Sequence, residues 1–240
     1  MIKAIRKFLA TSRILSIPRK WVGKIIAYAV SSKNGTLIFY DSPKNDKEKA
    51  FGLVARIKKE TEMLISDLEA HQIYLAVKKT EKINGDIAEV GVYKGGSAKL
   101  ICEITNKQVH LFDTFEGLPE LSKFDRPDQF HKGDYNASFS AVKNYLKDCS
   151  NVHLYKGLFP TTAENIENKK FSFVHLDVDL YQSTLDCLKV FYPRMNRGGV
   201  IISHDYNTIG GKGAFDEFFK DKPEIIIEFP GCNQCLIVKC

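Results

Sequence analysis

Acidic and histidine side chains stand inside or directly after four apolar stretches of the sequence: Glu89, Asp113, Asp177, Asp179, His204 and Asp205. Two carboxylates that lie close together repel each other unless a proton or a cation lies between them. A hard divalent cation with oxygen ligands meets that need. If the fold brings Asp177 and Asp205 together, they predict a site for a hard divalent cation. Asp179, two residues further on, is then placed to act as a base towards a hydroxyl group.

The stretch from Asp86 to Ser97 predicts a short buried strand over 87–92, a Gly-rich turn and a helix from Ser97. Its spacing, Glu-x-Gly-x-x-x-Gly-Gly, differs from the Gly-x-Gly-x-x-Gly of phosphate-binding turns. Because Glu89 carries a negative charge into the turn, the pattern favours a ligand with an ammonium or sulfonium group. Two interpretations stay open: a ligand-binding turn, or a plain strand-to-helix turn with Glu89 solvated at its rim.

From Asp86 onward, strand, turn and helix patterns alternate, which is typical of an α/β fold. The last two apolar runs are joined by a short turn and predict an antiparallel hairpin. We therefore expect a doubly wound, mostly parallel, seven-stranded sheet of Rossmann-like type. The predicted strands are 87–92, 109–113, 152–155, 171–178, 200–203, 225–229 and 235–239. Ligands of such sheets bind beyond the carboxyl ends of the strands. An acid about 20 residues after the Gly-rich turn, here Asp113, commonly holds a ribose diol.

The net charge of +6 belongs to one segment of the chain. Residues 1–33 contain eight Lys and Arg and no acid, leaving 27 basic residues against 29 acids in the remainder. This distribution argues against a nucleic-acid groove across the fold. We expect residues 1–49 to form a basic helical extension. It packs on the domain or a second subunit in a homo-oligomer, or lies on an anionic membrane face. Its apolar runs are too short to span a bilayer.

The six cysteines are scattered, and no secretory signal precedes them. We expect a cytoplasmic protein without disulfides, located at the inner membrane face if the extension binds lipid. A lone Cys232-x-x-Cys235 pair is more typical of core or edge-strand cysteines than of a metal site.

Four motifs, in order, resemble those of the macrocin O-methyltransferase family. They are EVGVYKGGS (89–97), FDTFEGLP (112–119), HLDVDLYQST (175–184) and GGVIISHDY (198–206). The resemblance covers about residues 50–240. It implies a class I methyltransferase fold and transfer of a methyl group from S-adenosylmethionine to a sugar hydroxyl. The acceptor is then a sugar-containing small molecule or a glycolipid.

The resemblance also implies roles for individual residues. Asp177 and Asp205 would bind magnesium, with His204 as a third candidate ligand, and Asp179 would be the general base. The candidate cofactor-binding residues are Glu89, Gly91, Val92, Tyr93, Gly96, Ser97, Asp113, Thr114, Phe115, Gly157 and Asp177. His204 stands where the family usually has an acid. Because imidazole is a poor magnesium ligand, the site would bind a softer ion, bind metal more weakly, or use His204 as a base or an outer donor.

The long connection after the second predicted strand carries five aromatic residues, Phe124, Phe130, Tyr135, Phe139 and Tyr145. We expect residues 116–149, called the lid segment below, to cover the acceptor. Two other functions are possible. Asp177-Val-Asp179 could be the metal-binding acids of a glycosyltransferase, or the chain could be a membrane-tethered scaffold without catalysis. The Gly-rich turn with Glu89 has no role in a glycosyltransferase. A nicotinamide oxidoreductase needs the Gly-x-Gly-x-x-Gly spacing, which this turn lacks.

Overall fold

The structure is a computed structural model that describes residues 44–229 and 232–240, within one compact unit of residues 43–240. The basic part of the predicted extension, residues 1–33, lies outside the described residues. In the described ranges, no helix is both long and apolar enough to cross a bilayer.

A seven-stranded sheet forms the centre of the fold, with the order β3-β2-β1-β4-β5-β7-β6. Its strands are β1 (Asp86–Val90), β2 (Val109–Asp113), β3 (Val152–Lys156), β4 (Phe171–Leu176), β5 (Met195–Ser203), β6 (Ile227–Glu228) and β7 (Cys235–Val238). Strands β1 to β5 are parallel, whereas β7 pairs antiparallel with both β5 and β6. The predicted doubly wound sheet and its terminal hairpin are confirmed. Chain order reverses between β1 and β4, where such sheets bind ligands.

Helices cover both faces of this sheet. On one face, α1 (Lys44–Glu60), α2 (Asp67–Thr80) and α3 (Gly96–Ile104) pack together. The short helix α4 (Phe139–Tyr145) lies in the lid segment, and α5 (Tyr181–Phe191) and α6 (Ile209–Phe219) follow later. Alternate residues of β1, Ala88 and Val90, enter the apolar core that includes α5 and α6. The intervening Glu89 therefore projects from the opposite face of the sheet.

Three expectations differ from the structure. Residues 44–49, expected to belong to the N-terminal extension, form the first turns of α1. Strand β5 begins at Met195 rather than Val200, because Met195 pairs with Phe171 of β4 and the backbone at 198–199 pairs with Lys239, just after β7. Cys102 and Cys149 form a disulfide that the sequence did not predict.

Candidate active site

A cleft lies at the carboxyl edge of the parallel strands. It is lined by the segments that follow β1, β2, β3, β4 and β5, by the connection from α1 to α2, and by residues of the lid segment. The cleft brings together the following predicted site residues: Gly91, Val92, Tyr93, Gly96, Ser97, Asp113, Thr114, Gly157, Asp177, Asp179, His204 and Asp205. Stretches more than 100 residues apart in sequence thus meet at one edge, as the predicted sheet requires.

Gly91 is needed for a close approach between two strand ends. Its φ is +89°, and a Cβ atom built on it would lie 1.8 Å from the carbonyl oxygen of Asp177. The neighbouring backbone is held by a hydrogen bond from Asp177 N–H to Val90 C=O, at 2.9 Å. The sequence predicted that a ligand approaches this glycine, but the nearest approach in the structure is by the protein's own backbone.

Asp113, the residue predicted to bind the ribose, stabilises the backbone of the Gly-rich turn. Its Oδ2 accepts hydrogen bonds from the N–H groups of Val92 and Tyr93, at 2.7 and 2.8 Å. Its Oδ1 accepts from Phe115 N–H, at 2.6 Å. Burial raises the pKa of Asp113, although these donors act in the opposite direction. Because Oδ2 accepts two hydrogen bonds and Oδ1 accepts only one, Oδ1 keeps a free lone pair for a ligand hydroxyl.

Glu89 and Phe115, two candidate cofactor-binding residues, do not line the cleft. Glu89 is fully buried, and its Oε1 lies 2.7 Å from His175 Nδ1. The interpretation of Glu89 as a solvated rim residue is therefore wrong. Burial raises the pKa of Glu89, and His175 partly offsets the rise. Phe115 is buried against Phe139 of the lid segment, with ring centroids 5.2 Å apart.

His204 lies among three carboxylates. Its Nδ1 is 3.1 Å from Asp177 Oδ1 and 2.8 Å from Asp205 Oδ1. Its Nε2 is 3.5 Å from Oε1 of Glu69 in α2. The same Glu69 oxygen accepts the N–H of Asn233, and its other oxygen accepts the N–H of Ser66. The predicted candidate ligands thus converge, and Glu69 joins them from the far side of the imidazole.

Burial and the charges of the neighbouring groups set the pKa values in this cluster. Burial lowers the pKa of His204, but the three carboxylates outweigh it and hold the pKa well above its usual value. Burial raises the pKa of Asp205, and the Asp177 charge adds to the rise. Burial also acts to raise the pKa of Asp177, but the charge of His204 dominates and lowers it. Without a bound ion, His204 is therefore the positive charge of the cluster.

Asp179 lies in a strained three-residue turn. Its φ is +57°, and Leu180 N–H donates to Val178 C=O across it. Such a γ-turn with positive φ is rare for a residue with a side chain. Burial and the charges of Asp205 and Asp177 raise the pKa of Asp179 well above its usual value. A carboxylate with a raised pKa accepts protons more readily, which suits a general base.

Backbone strain concentrates around the cleft. Among the described residues, the non-glycine residues with positive φ are Tyr93, Phe115, Tyr135, Asp179 and Asp205. Four of the five line the cleft, and the fifth follows Thr114, which does. Such conformations cost free energy and persist where the surrounding structure imposes them, most often at functional sites.

Sequence reasoning missed the contribution of the α1–α2 connection. Residues 62–65 line the cleft, and Glu62 accepts hydrogen bonds from Tyr93 and Lys94. Glu69 was missed as well. The pattern Ser66-x-x-Glu69 is a capping box that marks the start of α2. That signal predicts a helix start, but it carries no information about the contact of Glu69 with His204.

Solved structures place this fold in a known class. The O-methyltransferase NovP aligns with a TM-score of 0.63 at 24% identity, covering 70% of this chain and 78% of NovP. The calicheamicin methyltransferase CalS11 aligns with a TM-score of 0.59 at 18% identity, covering 83% of this chain and 94% of CalS11. At these identities the likeness shows the fold alone, which is that of class I methyltransferases.

The sequence comparison is more specific. Residues 64–229 match the macrocin O-methyltransferase (TylF) family, and the chain belongs to this family. The 8-demethyl-8-(2,3-dimethoxy-alpha-L-rhamnosyl)-tetracenomycin-C 4'-O-methyltransferase of Streptomyces olivaceus is 30% identical over 155 residues, 57% of this chain and 58% of the relative. The demethyldecarbamoylnovobiocin O-methyltransferase of Streptomyces niveus is 28% identical over 153 residues, with the same coverage. The chain thus spans less than two thirds of these relatives.

Proposed function

We propose that the protein transfers a methyl group from S-adenosylmethionine to a hydroxyl group of a sugar. One observation carries the proposal: a Gly-rich turn and the carboxylates of Asp177, Asp179 and Asp205 share one cleft. Membership of an O-methyltransferase family supports it. The relative from Streptomyces olivaceus is named for a rhamnosyl acceptor, which favours a sugar-containing small molecule here.

The cofactor would lie along the edge formed by the segments after β1, β2 and β3. Gly91 to Ser97 would face its methionine part, and Asp113 Oδ1 would accept from its ribose. Glu89 would contribute a negative charge from beneath the cleft, because its buried carboxyl group lies beside Ser97 at the start of α3. The sulfonium would then lie near the carboxylates, whose negative charge favours a cationic ligand.

In the reaction, a lone pair of the acceptor oxygen forms a bond to the methyl carbon. The bond from that carbon to sulfur breaks, and its electron pair stays on sulfur. The hydroxyl proton passes to the carboxylate of Asp179. The products are a methyl ether, S-adenosylhomocysteine and a protonated Asp179. The main contribution of the protein is to hold donor and acceptor in line, as approximation of two reactants requires.

A divalent ion is part of the proposal. Asp177, His204 and Asp205 each offer one ligand atom, and these atoms lie within 4.8 Å of one another. Asp205 Oδ2 is buried and has no hydrogen-bond partner among the described residues. Glu69 beside Nε2 matches the outer carboxylate that usually orients a metal-bound imidazole. When bound, such an ion would lower the pKa of the acceptor hydroxyl. The imidazole favours iron or zinc over magnesium, whereas the two carboxylates also suit manganese.

A glycolipid remains an alternative acceptor. Three predictions concern the basic residues 1–33, which lie outside the described residues. They are the membrane contact, the location at the inner membrane face and the homo-oligomer. Binding of the full chain to anionic vesicles, compared with a chain lacking residues 1–33, tests the membrane contact. Equal binding by both chains would exclude residues 1–33 as the membrane contact.

The substitution Asp179→Asn tests the proposed reaction. It keeps the size of the side chain but removes the proton acceptor. We expect methyl transfer to fall by two orders of magnitude or more, on the order of a general base's contribution, while affinity for S-adenosylhomocysteine stays unchanged. The matched control is Asp128→Asn, an exposed acid of the lid segment paired with Arg126. Retained turnover in Asp179→Asn would remove Asp179 as the base.

A further inference from the structure

Asp125 of the lid segment reaches across to the helix that follows the proposed base. The side chain of Asp125 is buried, and its Oδ1 accepts a hydrogen bond from Tyr181 N–H at 2.7 Å. Its Oδ2 accepts from the N–H and the hydroxyl of Ser122, at 2.8 and 2.6 Å. Both carboxylate oxygens are thus engaged, one within the lid segment and one with the start of α5.

The contact with Tyr181 replaces a missing cap. Helix α5 begins at Tyr181, and its N-cap residue, Leu180, has no side chain that can accept a hydrogen bond. The first N–H groups of a helix lack partners within the helix and need acceptors from elsewhere. A carboxylate at this end also interacts favourably with the helix dipole. Asp125 therefore supplies, from 56 residues away, an acceptor for the first N–H group of α5, where the N-cap side chain supplies none.

Two further contacts fix this junction. The ring of Phe124 lies against that of Tyr181, with centroids 4.4 Å apart. In the first turn of α6, Gly210 leaves room for the carboxylate, because a Cβ atom there would lie 2.4 Å from Asp125 Oδ1. The lid segment, the start of α5 and the start of α6 therefore meet at one carboxylate. Asp179 lies two residues before α5, and Asp205 lies four residues before α6.

We propose that Asp125 is a positioning residue that couples the lid segment to the proposed base. By capping α5, it fixes the end of the strained turn that holds Asp179 towards the cleft. Tyr135, of the same segment, lines the cleft as well. A sugar bound under the lid segment as the methyl acceptor would therefore be held by the same element that orients Asp179. This inference rests on the proposed function for its catalytic consequence, but the cap itself can be measured without any reaction.

The test compares Asp125→Ala with Asp125→Asn. Alanine removes the acceptor, whereas asparagine keeps an oxygen that can accept from Tyr181. Asp128→Ala, an exposed neighbour, is the matched control. Hydrogen exchange at the Tyr181 amide reports the cap directly. We expect faster exchange in Asp125→Ala, and near wild-type exchange in Asp125→Asn and in Asp128→Ala.

In the full-length enzyme, kcat should fall on the order of ten- to a hundredfold in Asp125→Ala, as for a misplaced group, while affinity for S-adenosylhomocysteine is unchanged.

A second variant guards against simple loss of folding. Gly210→Ala leaves the carboxylate in the chain but pushes it from Tyr181, so it should also speed exchange and lower kcat. Unchanged exchange at Tyr181 in both Asp125→Ala and Gly210→Ala would overturn the cap, whatever the enzyme does. Faster exchange with an unchanged kcat would overturn the coupling to the base. If the wild type transfers no methyl group at all, the proposed function fails, while the exchange result still decides the cap.

Discussion

Replacing Gly91 with alanine, beside control substitutions at other glycines, separates two contributions to the free energy of unfolding. One is the backbone conformation of Gly91, and the other is its close contact at the centre of the cleft. Gly91 has a φ of +89°, where an L-residue with a Cβ atom is strained by about 1–2 kcal/mol. The added methyl would also lie 1.8 Å from Asp177 C=O, so the ends of β1 and β4 must move apart. The hydrogen bonds from Asp177 N–H to Val90 and from Gly91 N–H to Phe112 then weaken.

Two other glycines serve as matched controls for this substitution. Gly133 has a φ of +88°, but no atom lies within 4 Å of the place a methyl group would take, so Gly133→Ala should cost only the conformational part, about 1–2 kcal/mol. Gly52 is exposed in the middle of α1 with open space around it, so Gly52→Ala should stabilise by roughly 0.5–1 kcal/mol. Gly91→Ala adds two weakened hydrogen bonds at about 1 kcal/mol each, for a total of about 3–4 kcal/mol.

Urea unfolding of the three variants measures these differences, and titration with S-adenosylhomocysteine measures the effect on the cleft. We expect the order of stability Gly52→Ala above wild type, then Gly133→Ala, then Gly91→Ala. Because Asp177 must shift, only Gly91→Ala should also lose affinity for the cofactor product. Equal destabilisation by Gly91→Ala and Gly133→Ala would refute the close contact with Asp177.

Two further predictions concern charge. Burial acts to raise the pKa of Glu224, but hydrogen bonds from Lys239 and Tyr192, at 2.7 and 2.8 Å, lower it overall. The carboxylate therefore stabilises the fold above its unfolded pKa, and this contribution disappears as pH falls through the lower folded pKa. Glu224→Gln should cost about 1–3 kcal/mol near neutral pH, and the gap should close towards acidic pH in urea unfolding; a gap independent of pH would contradict this. Chelation should lower methyl transfer and added Mn²⁺ should restore it, whereas full activity in chelator would exclude the ion.

The order of elements and the edge at which the acids meet could be predicted from the sequence. Alternating strand and helix patterns specify a parallel sheet, and the carboxyl ends of its strands must share one edge. On that basis Asp177, His204 and Asp205 belong together, as they do in the structure. Only chain direction and periodicity are needed, and both are properties of the sequence.

The position of Glu89 could not be predicted in the same way. Which face of β1 it occupies follows from alternation, but its burial depends on α1 to α3 and on pairing with His175 of β4. Contacts between distant elements also escaped prediction. Glu69 beside His204 and Asp125 beside Tyr181 satisfy polar groups through tertiary packing, for which no local pattern exists.

Calorimetric titration of the full-length protein with S-adenosylmethionine tests the central claim most directly. We expect one molecule bound per chain, with a Kd of roughly 1 μM to 1 mM, the range usual for enzyme substrates. Binding should weaken in Gly91→Ala and persist in Gly133→Ala. Absence of binding by the folded wild-type protein, or equal binding by both variants, would contradict the assignment of this cleft to the cofactor.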